Sequence, residues 1–234
     1  MGDDPEPVAR LIDASADGPA AGMFRRRTHA LVVGLVLLGA AAVLCLIVAA
    51  DPAHPLVQPV DDRWMRWMLS IRTPWLTRAA RGVSALGSPF VTLPVRLGVC
   101  ALLGWRRRWF LLGVFVAVIV ASELCIGPLK VVIGRARPLE ILVATSSSAF
   151  PSGHAIAGAV TAFGFVVVVL SASRTRWCWI AAAAAFAACM ALSRTYLGAH
   201  WLTDVVAGGF IGVGLALLVP ASAEMLRARL RARA

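Results

Sequence analysis

The chain has 234 residues, 59% of them hydrophobic and only 15% charged, with a mean hydropathy of +0.80. So little charge spread among so many long apolar runs excludes a soluble domain and marks an integral membrane protein. The net charge of +11 rests almost wholly on arginine. Those arginines gather at the ends of apolar runs, where they meet lipid headgroups and set orientation, so the charge implies a bilayer and not nucleic acid.

Residues 1–22 are rich in Asp, Glu, Pro, Gly and Ala without an apolar face, which reads as a disordered cytoplasmic tail ahead of one membrane domain over 23–234. Arg25, Arg26 and Arg27 precede a first apolar run at 30–50, long enough to cross the ~30 Å hydrocarbon layer and to stay as an anchor. Over 51–82, Val60, Trp64, Trp67, Met68, Ile71 and Trp75 fall on one face at helical spacing, with Arg63, Arg66 and Arg72 between them. That pattern predicts an interfacial helix, begun by Asp61 or Asp62 as a cap and ended near Pro74, serving as an anchor or as a lid that guides lipid.

Further spans are expected at 83–104, 109–129, from Pro151 to about Leu170, at 177–192 and at 201–219. The second of the six carries Pro89, Pro94 and Arg96, the last either snorkelling toward Arg106, Arg107 and Arg108 or facing a partner inside the bundle. The fold class is thus all-α, a six-span helix bundle with an interfacial helix between spans one and two. Six spans place both termini in the cytoplasm, with a modest excess of arginine on the inner side. Cys45, Cys100, Cys125, Cys178 and Cys189 show neither paired nor metal-type spacing and read as small core hydrophobes.

Three clusters then share the outer face. Lys130 is the chain's only lysine, a compact point charge among flat-forked arginines, and Arg137-Pro138 follows it. Pro151-Ser152-Gly153-His154 opens a helix: proline fixes the entry, serine caps, glycine lets a ligand oxygen approach the backbone, and the helix amino terminus attracts anions. Ser193-Arg194 precedes His200 and Asp204, whose i, i+4 spacing puts them on one helical face. There the aspartate can fix the imidazole tautomer and leave the other nitrogen as nucleophile or base. Arg137 and Arg194 can each grip an anionic oxygen pair. Glu123, seven residues before Lys130, needs a polar partner in its apolar span; an inward arginine or a role steadying Lys130 would supply one.

Lys130-x6-Arg137-Pro138, Pro151-Ser152-Gly153-His154 and Ser193-Arg194-x5-His200-x3-Asp204 together resemble the three-part signature of the type 2 phosphatidic acid phosphatase (PAP2) superfamily, over about residues 110–219. The resemblance implies that His200 attacks phosphorus to form a phosphohistidine, oriented by Asp204, while His154 protonates the leaving oxygen and later activates water. It further implies that Lys130, Arg137, Ser152, Gly153 and Arg194 hold the phosphoryl oxygens, and that neither metal nor other cofactor is required. The six-span branch is similar to bacterial lipid phosphatases of the cell envelope. A polyprenyl diphosphate is the first expected substrate and phosphatidic acid, phosphatidylglycerophosphate or a related glycerophospholipid the second. A phosphotransferase using the same intermediate, and a non-enzymatic lipid transporter or scaffold, are the competing readings.

Overall fold

The computed structural model describes residues 19–168 and 176–233. Among them are eight helices and no strand: α1 (Pro19–Ala50), α2 (Gln58–Ser70), α3 (Pro74–Leu86), α4 (Pro89–Trp105), α5 (Trp109–Ile133), α6 (Gly153–Val168), α7 (Arg176–Tyr196) and α8 (Leu202–Arg233). The tail expected over 1–22 lies outside the described residues as far as residue 18, and α1 already runs from Pro19. The expected end of the fourth span at Leu170 also lies outside them.

Four helical stretches, Arg27–Ala50, Trp109–Ile133, Trp177–Tyr196 and Leu202–Arg233, are long and apolar enough to cross a membrane. A fifth crossing arises if α3 and α4, bent by 40° at their junction, act as one broken span. Outward-facing Leu35, Val36, Leu46, Phe90, Val131 and Val132 are all exposed. So much exposed aliphatic surface on helices of this length belongs in lipid, which makes this a multi-pass membrane protein.

Helix α8 is the hub. Its apolar window is 56% buried, against 17% for α1 and 22% for α5. It packs chiefly on α1 and α6, and glycines allow the approach. A Cβ on Gly208 would lie 2.7 Å from the Ser152 carbonyl oxygen, and one on Gly212 would lie 2.7 Å from Ala159 Cβ. Small residues at this spacing let two helix backbones touch in lipid, where no hydrophobic drive brings helices together. The central core is Ile156, Val160 and Phe163 of α6 against Ile211, Leu215 and Ala216 of α8, with Val118 of α5.

The segment between the first and second spans differs from expectation. It folds as two helices, α2 and α3, because Thr73 caps α3 by accepting from Leu76 N at 3.4 Å and Pro74 supplies a first residue that needs no donor. Neither Asp61 nor Asp62 caps α2; Val57 occupies that position without a side-chain bond. Asp62 instead accepts from Gln58 Nε2 at 2.8 Å, and Asp61 is fully buried. The face turned to the bundle is Asp61, Met65 and Met68, whereas Val60, Trp67 and Trp75 point outward.

The span expected at 83–104 is interrupted at Gly87–Ser88. Ser88 is extended, as a residue before proline tends to be, and Pro89 restarts the helix. Arg96 faces inward: Nη1 reaches Glu123 Oε1 at 2.9 Å and Nε reaches Thr161 Oγ1 at 3.0 Å. The five cysteines are free, but Cys178 and Cys189 are exposed on α7 and are not core residues.

Candidate active site

Between α7 and α8 the chain turns through Gly198, whose φ of +67° and contact with Glu140 O leave no room for a side chain. The turn delivers His200, 2% exposed, just ahead of α8. Asp204 sits in the first turn of α8 and accepts from Trp201 N at 2.8 Å through Oδ2, satisfying one of the helix's unpaired donors. The same oxygen stands 3.5 Å from His200 Nδ1, a buried atom with no hydrogen-bond partner among the described residues. On the far side of the ring, Nε2 lies 3.3 Å from Arg137 Nη1. A carboxylate on one side and a guanidinium on the other place the proton on Nδ1 and the lone pair on Nε2. Burial lowers the His200 pKa to about 4, with Arg137 and Arg194 adding to the effect and Asp204 opposing it. The ring is therefore neutral at physiological pH.

Backbone carbonyls fix two of the three cations, Lys130 and Arg137. Gly134, left-handed at φ +64°, ends α5 one turn after Lys130. Lys130 Nζ donates to Ser148 O at 2.6 Å, and Ser148 Oγ returns a bond to Lys130 O at 2.6 Å. Arg137 donates from Nε to Ser147 O at 2.8 Å, from Nη2 to Ser148 O at 3.2 Å, and from Nη1 to Ala199 O. Arg194, on the last turn of α7, is 5% exposed and donates from Nη1 to Ser84 Oγ at 2.6 Å. Its Nε is buried without a hydrogen-bond partner among the described residues, so this donor is unmet within the cluster of cations.

Ser152 caps α6 through Ala155 N at 3.4 Å and donates its own N–H to Asp204 O at 3.0 Å. The two helix starts are thereby stitched together. Gly153 lies beside Lys130: a Cβ there would sit 3.9 Å from Lys130 Cε, an ordinary contact. His154 is half-buried, makes no hydrogen bond among the described residues, and lies within the fields of Lys130, Arg137, Arg194 and His200. Its ring packs near Gly87, where a Cβ would approach Cδ2 to 3.3 Å.

The structure thus gathers Lys130, Arg137, Ser152, Gly153, His154, Arg194, His200 and Asp204 at one end of the bundle. Glu123 is elsewhere: its carboxylate bonds Arg96, not Lys130. Three residues of the site escaped the sequence reading. Arg135 is 1% exposed and bonds Asp204 Oδ1 at 2.7 Å. Asp61 bonds Arg135 in turn at 2.7 Å. Ser84 supports Arg194 from inside an expected membrane span.

A neutral buried imidazole facing three cations and a helix amino terminus is suited to attack on a phosphoryl group, whose transition state spreads charge over its equatorial oxygens. Residues 110–227 match the PAP2 superfamily. The chain belongs to that superfamily, whose membrane phosphatases act in lipid metabolism, and it is a phosphoric monoester hydrolase. Among individual relatives, it is 31% identical over 189 residues to phosphatidylglycerophosphatase B of Bacillus subtilis (strain 168), a stretch covering 78% of this chain and 92% of that protein. The crystal structure of the transmembrane PAP2-type phosphatidylglycerolphosphate phosphatase from Bacillus subtilis superposes with a TM-score of 0.72 at 29% identity, over 81% of this chain and 96% of that one. Aquifex aeolicus LpxE shares the fold, with a TM-score of 0.54 at 22% identity over 67% of this chain and 92% of that one.

Proposed function

We propose that this site removes the terminal phosphate of a membrane glycerophospholipid, phosphatidylglycerophosphate or phosphatidic acid, through a phosphohistidine on His200. The observation that carries the reading is the buried His200 ring held between Asp204 and Arg137, with the unmet Nε of Arg194 close by. In the first step His200 Nε2 attacks phosphorus and the bond from phosphorus to the lipid oxygen breaks. His154, which takes up a proton once the anionic substrate offsets the surrounding cations, gives that proton to the oxygen, releasing the lipid alcohol. Asp204 stabilises the positive charge that the His200 ring acquires. In the second step neutral His154 takes a proton from water, the hydroxide oxygen attacks phosphorus, and the phosphorus–nitrogen bond breaks to free phosphate and His200. Lys130, Arg137 and Arg194, with the α6 amino terminus at Ser152 and Gly153, hold the phosphoryl oxygens throughout.

Similarity to phosphatidylglycerophosphatase B supports the glycerophospholipid and moves it ahead of a polyprenyl diphosphate, which stays as the second substrate class. An apolar cavity of about 200 Å³ lined by Leu86, Val91, Thr92, Val95, Thr161 and Phe186 suits part of a lipid tail, and Leu86 directly precedes Gly87, against which the His154 ring lies. With α3–α4 taken as one broken span and α6 as a short one, the chain crosses six times, both termini are cytoplasmic and the site opens outward. Purified protein is incubated with phosphatidylglycerophosphate, phosphatidic acid and a polyprenyl diphosphate, with chelator and lipid-acceptor arms, and free phosphate is measured. Release from the glycerophospholipids that disappears in His200→Ala supports the reading. A labelled acceptor without free phosphate identifies a transferase. Full function in His200→Ala leaves only a transporter or scaffold, and chelator sensitivity contradicts the metal-free steps.

A further inference from the structure

Arg135 is the largest fully buried side chain among the described residues, and its charge is divided between two carboxylates. Nη1 donates to Asp204 Oδ1 at 2.7 Å and to Thr203 Oγ1 at 2.8 Å. Nη2 donates to Asp61 Oδ2 at 2.7 Å and to Gln58 Oε1 at 2.8 Å. Asp61 also accepts from Thr203 N at 2.9 Å through Oδ1 and from Thr203 Oγ1 at 2.6 Å through Oδ2. The guanidinium lies 5.4 Å from the centre of the Trp201 ring, whose indole N–H is held by Ala136 O at 2.9 Å. Both carboxylates are fully buried.

Three features set this cluster apart from ordinary packing. Asp61 comes from α2 yet satisfies a free N–H at the start of α8, 142 residues away, so α2 completes the helix that carries Asp204. One arginine between two aspartates leaves one negative charge in excess, directly behind the imidazole that becomes positive when it takes a phosphoryl group. An apolar set of the same volume would in general pack at least as stably as buried ions, so a role in the chemistry explains the cluster better than stability does.

We infer that Asp61 and Arg135 are positioning residues: they aim Asp204 at His200 and supply the net negative charge that steadies the phosphorylated ring. Helix α2 is on this account part of the catalytic apparatus and not only a surface anchor. The inference rests on His200 being the nucleophile.

The test compares Asp61→Asn and Thr203→Val with wild type in the full-length protein, measuring kcat, KM, thermal unfolding and the pH profile of kcat/KM. Asp61→Asn keeps shape and one acceptor but removes the charge; kcat is expected to fall about 10- to 100-fold with KM within about threefold. Thr203→Val leaves both charges and removes only the hydroxyl between them; kcat is expected to fall about 3- to 10-fold. In an Asp204→Asn background Asp61→Asn is expected to cost nothing further, because both changes act through one carboxylate. Normal kcat in both variants, or additive losses in the double variant, overturns the inference, as does a loss of Tm with kcat per folded molecule unchanged. Should Asp61→Asn fail to fold, Thr203→Val and its combination with Asp204→Asn decide the question. Activity surviving in His200→Ala would instead sink the proposed function, whatever Asp61→Asn does.

Discussion

Gly208→Ala isolates the geometry on which the site depends. Gly208 lies one turn beyond Asp204 on α8 and faces the opening of α6. A methyl group there would stand 2.7 Å from Ser152 O and 3.1 Å from Ala155 Cβ. Restoring an ordinary contact of 3.4 Å moves the two helix starts apart by about 0.7 Å, since neither neighbour is a flexible side-chain end. The bond from Ser152 N to Asp204 O, now 3.0 Å, is stretched by that movement, and His154 recedes from His200 with it. Misplacement by 1 Å costs about 100-fold in rate, so kcat should fall about 10- to 100-fold. Overpacking costs about 1–3 kcal/mol of stability, which leaves the protein folded. Gly209 is the control on the next residue, because a Cβ there meets nothing within 4 Å and Gly209→Ala should keep wild-type kcat. Phosphate release per folded molecule, with unfolding followed in parallel, measures both. Equal activity in the two variants, or greater loss in Gly209→Ala, would refute the reasoning.

Because burial holds the His200 pKa at about 4, the acid limb of kcat/KM that belongs to His200 should lie near pH 4 and not near 6.5. Asp204 raises that pKa, so Asp204→Asn should move the limb further down as well as lower kcat. Between pH 4 and 6.5 the unfolded chain binds a proton that the folded chain refuses, so thermal stability should decline as pH falls through this window. Arg194→Lys keeps the charge but loses the fork and its bond to Ser84 Oγ; kcat/KM should drop at least about 100-fold, and Ser84→Ala about 3- to 10-fold. Glu123→Gln weakens the partner of Arg96 and should reduce Tm by a few degrees while leaving kcat within twofold and the pH profile in place. A shifted profile in that variant would return Glu123 to the site.

What was legible in the sequence was local. His200 and Asp204 declare their relation by a four-residue spacing, and Pro151-Ser152-Gly153-His154 announces a helix start by its residue types. Long apolar runs fix where helices lie, because backbone groups in lipid can be satisfied only within a helix or a closed barrel. The relations that were not legible join distant segments. Arg135 reaches Asp61 across 74 residues and Asp204 across 69, and Arg194 reaches Ser84 across 110. No spacing rule distinguishes such an arginine from a lipid-facing one.

The segment over 51–82 shows the same limit. Periodicity put Trp64, Trp67 and Met68 on one face, but which residues of a helix are buried depends on what packs there, and Met68 is buried while Trp67 is exposed. The bundle offered Arg135 and Thr203, so Asp61 turned inward with Met65 and Met68, and Trp67 was left outside. Asp61 at a helix start also carries a capping signal, and it does cap a helix, though α8 and not its own. The break at Gly87–Ser88 was foreshadowed by Pro89. What keeps residue 87 a glycine, the Met190 side chain and the ring of His154 lying where a Cβ would stand, comes from α7 and α6.

The central claim is that His200 carries the phosphoryl group. Rapid acid-free quenching of the reaction, followed by mass spectrometry of the peptide containing residue 200, tests it most directly. The account predicts an acid-labile phosphate on His200 that accumulates in His154→Ala, where water is no longer activated, and is absent from His200→Ala. Steady phosphate release with no adduct at His200 in His154→Ala, or release that persists in His200→Ala, would contradict it.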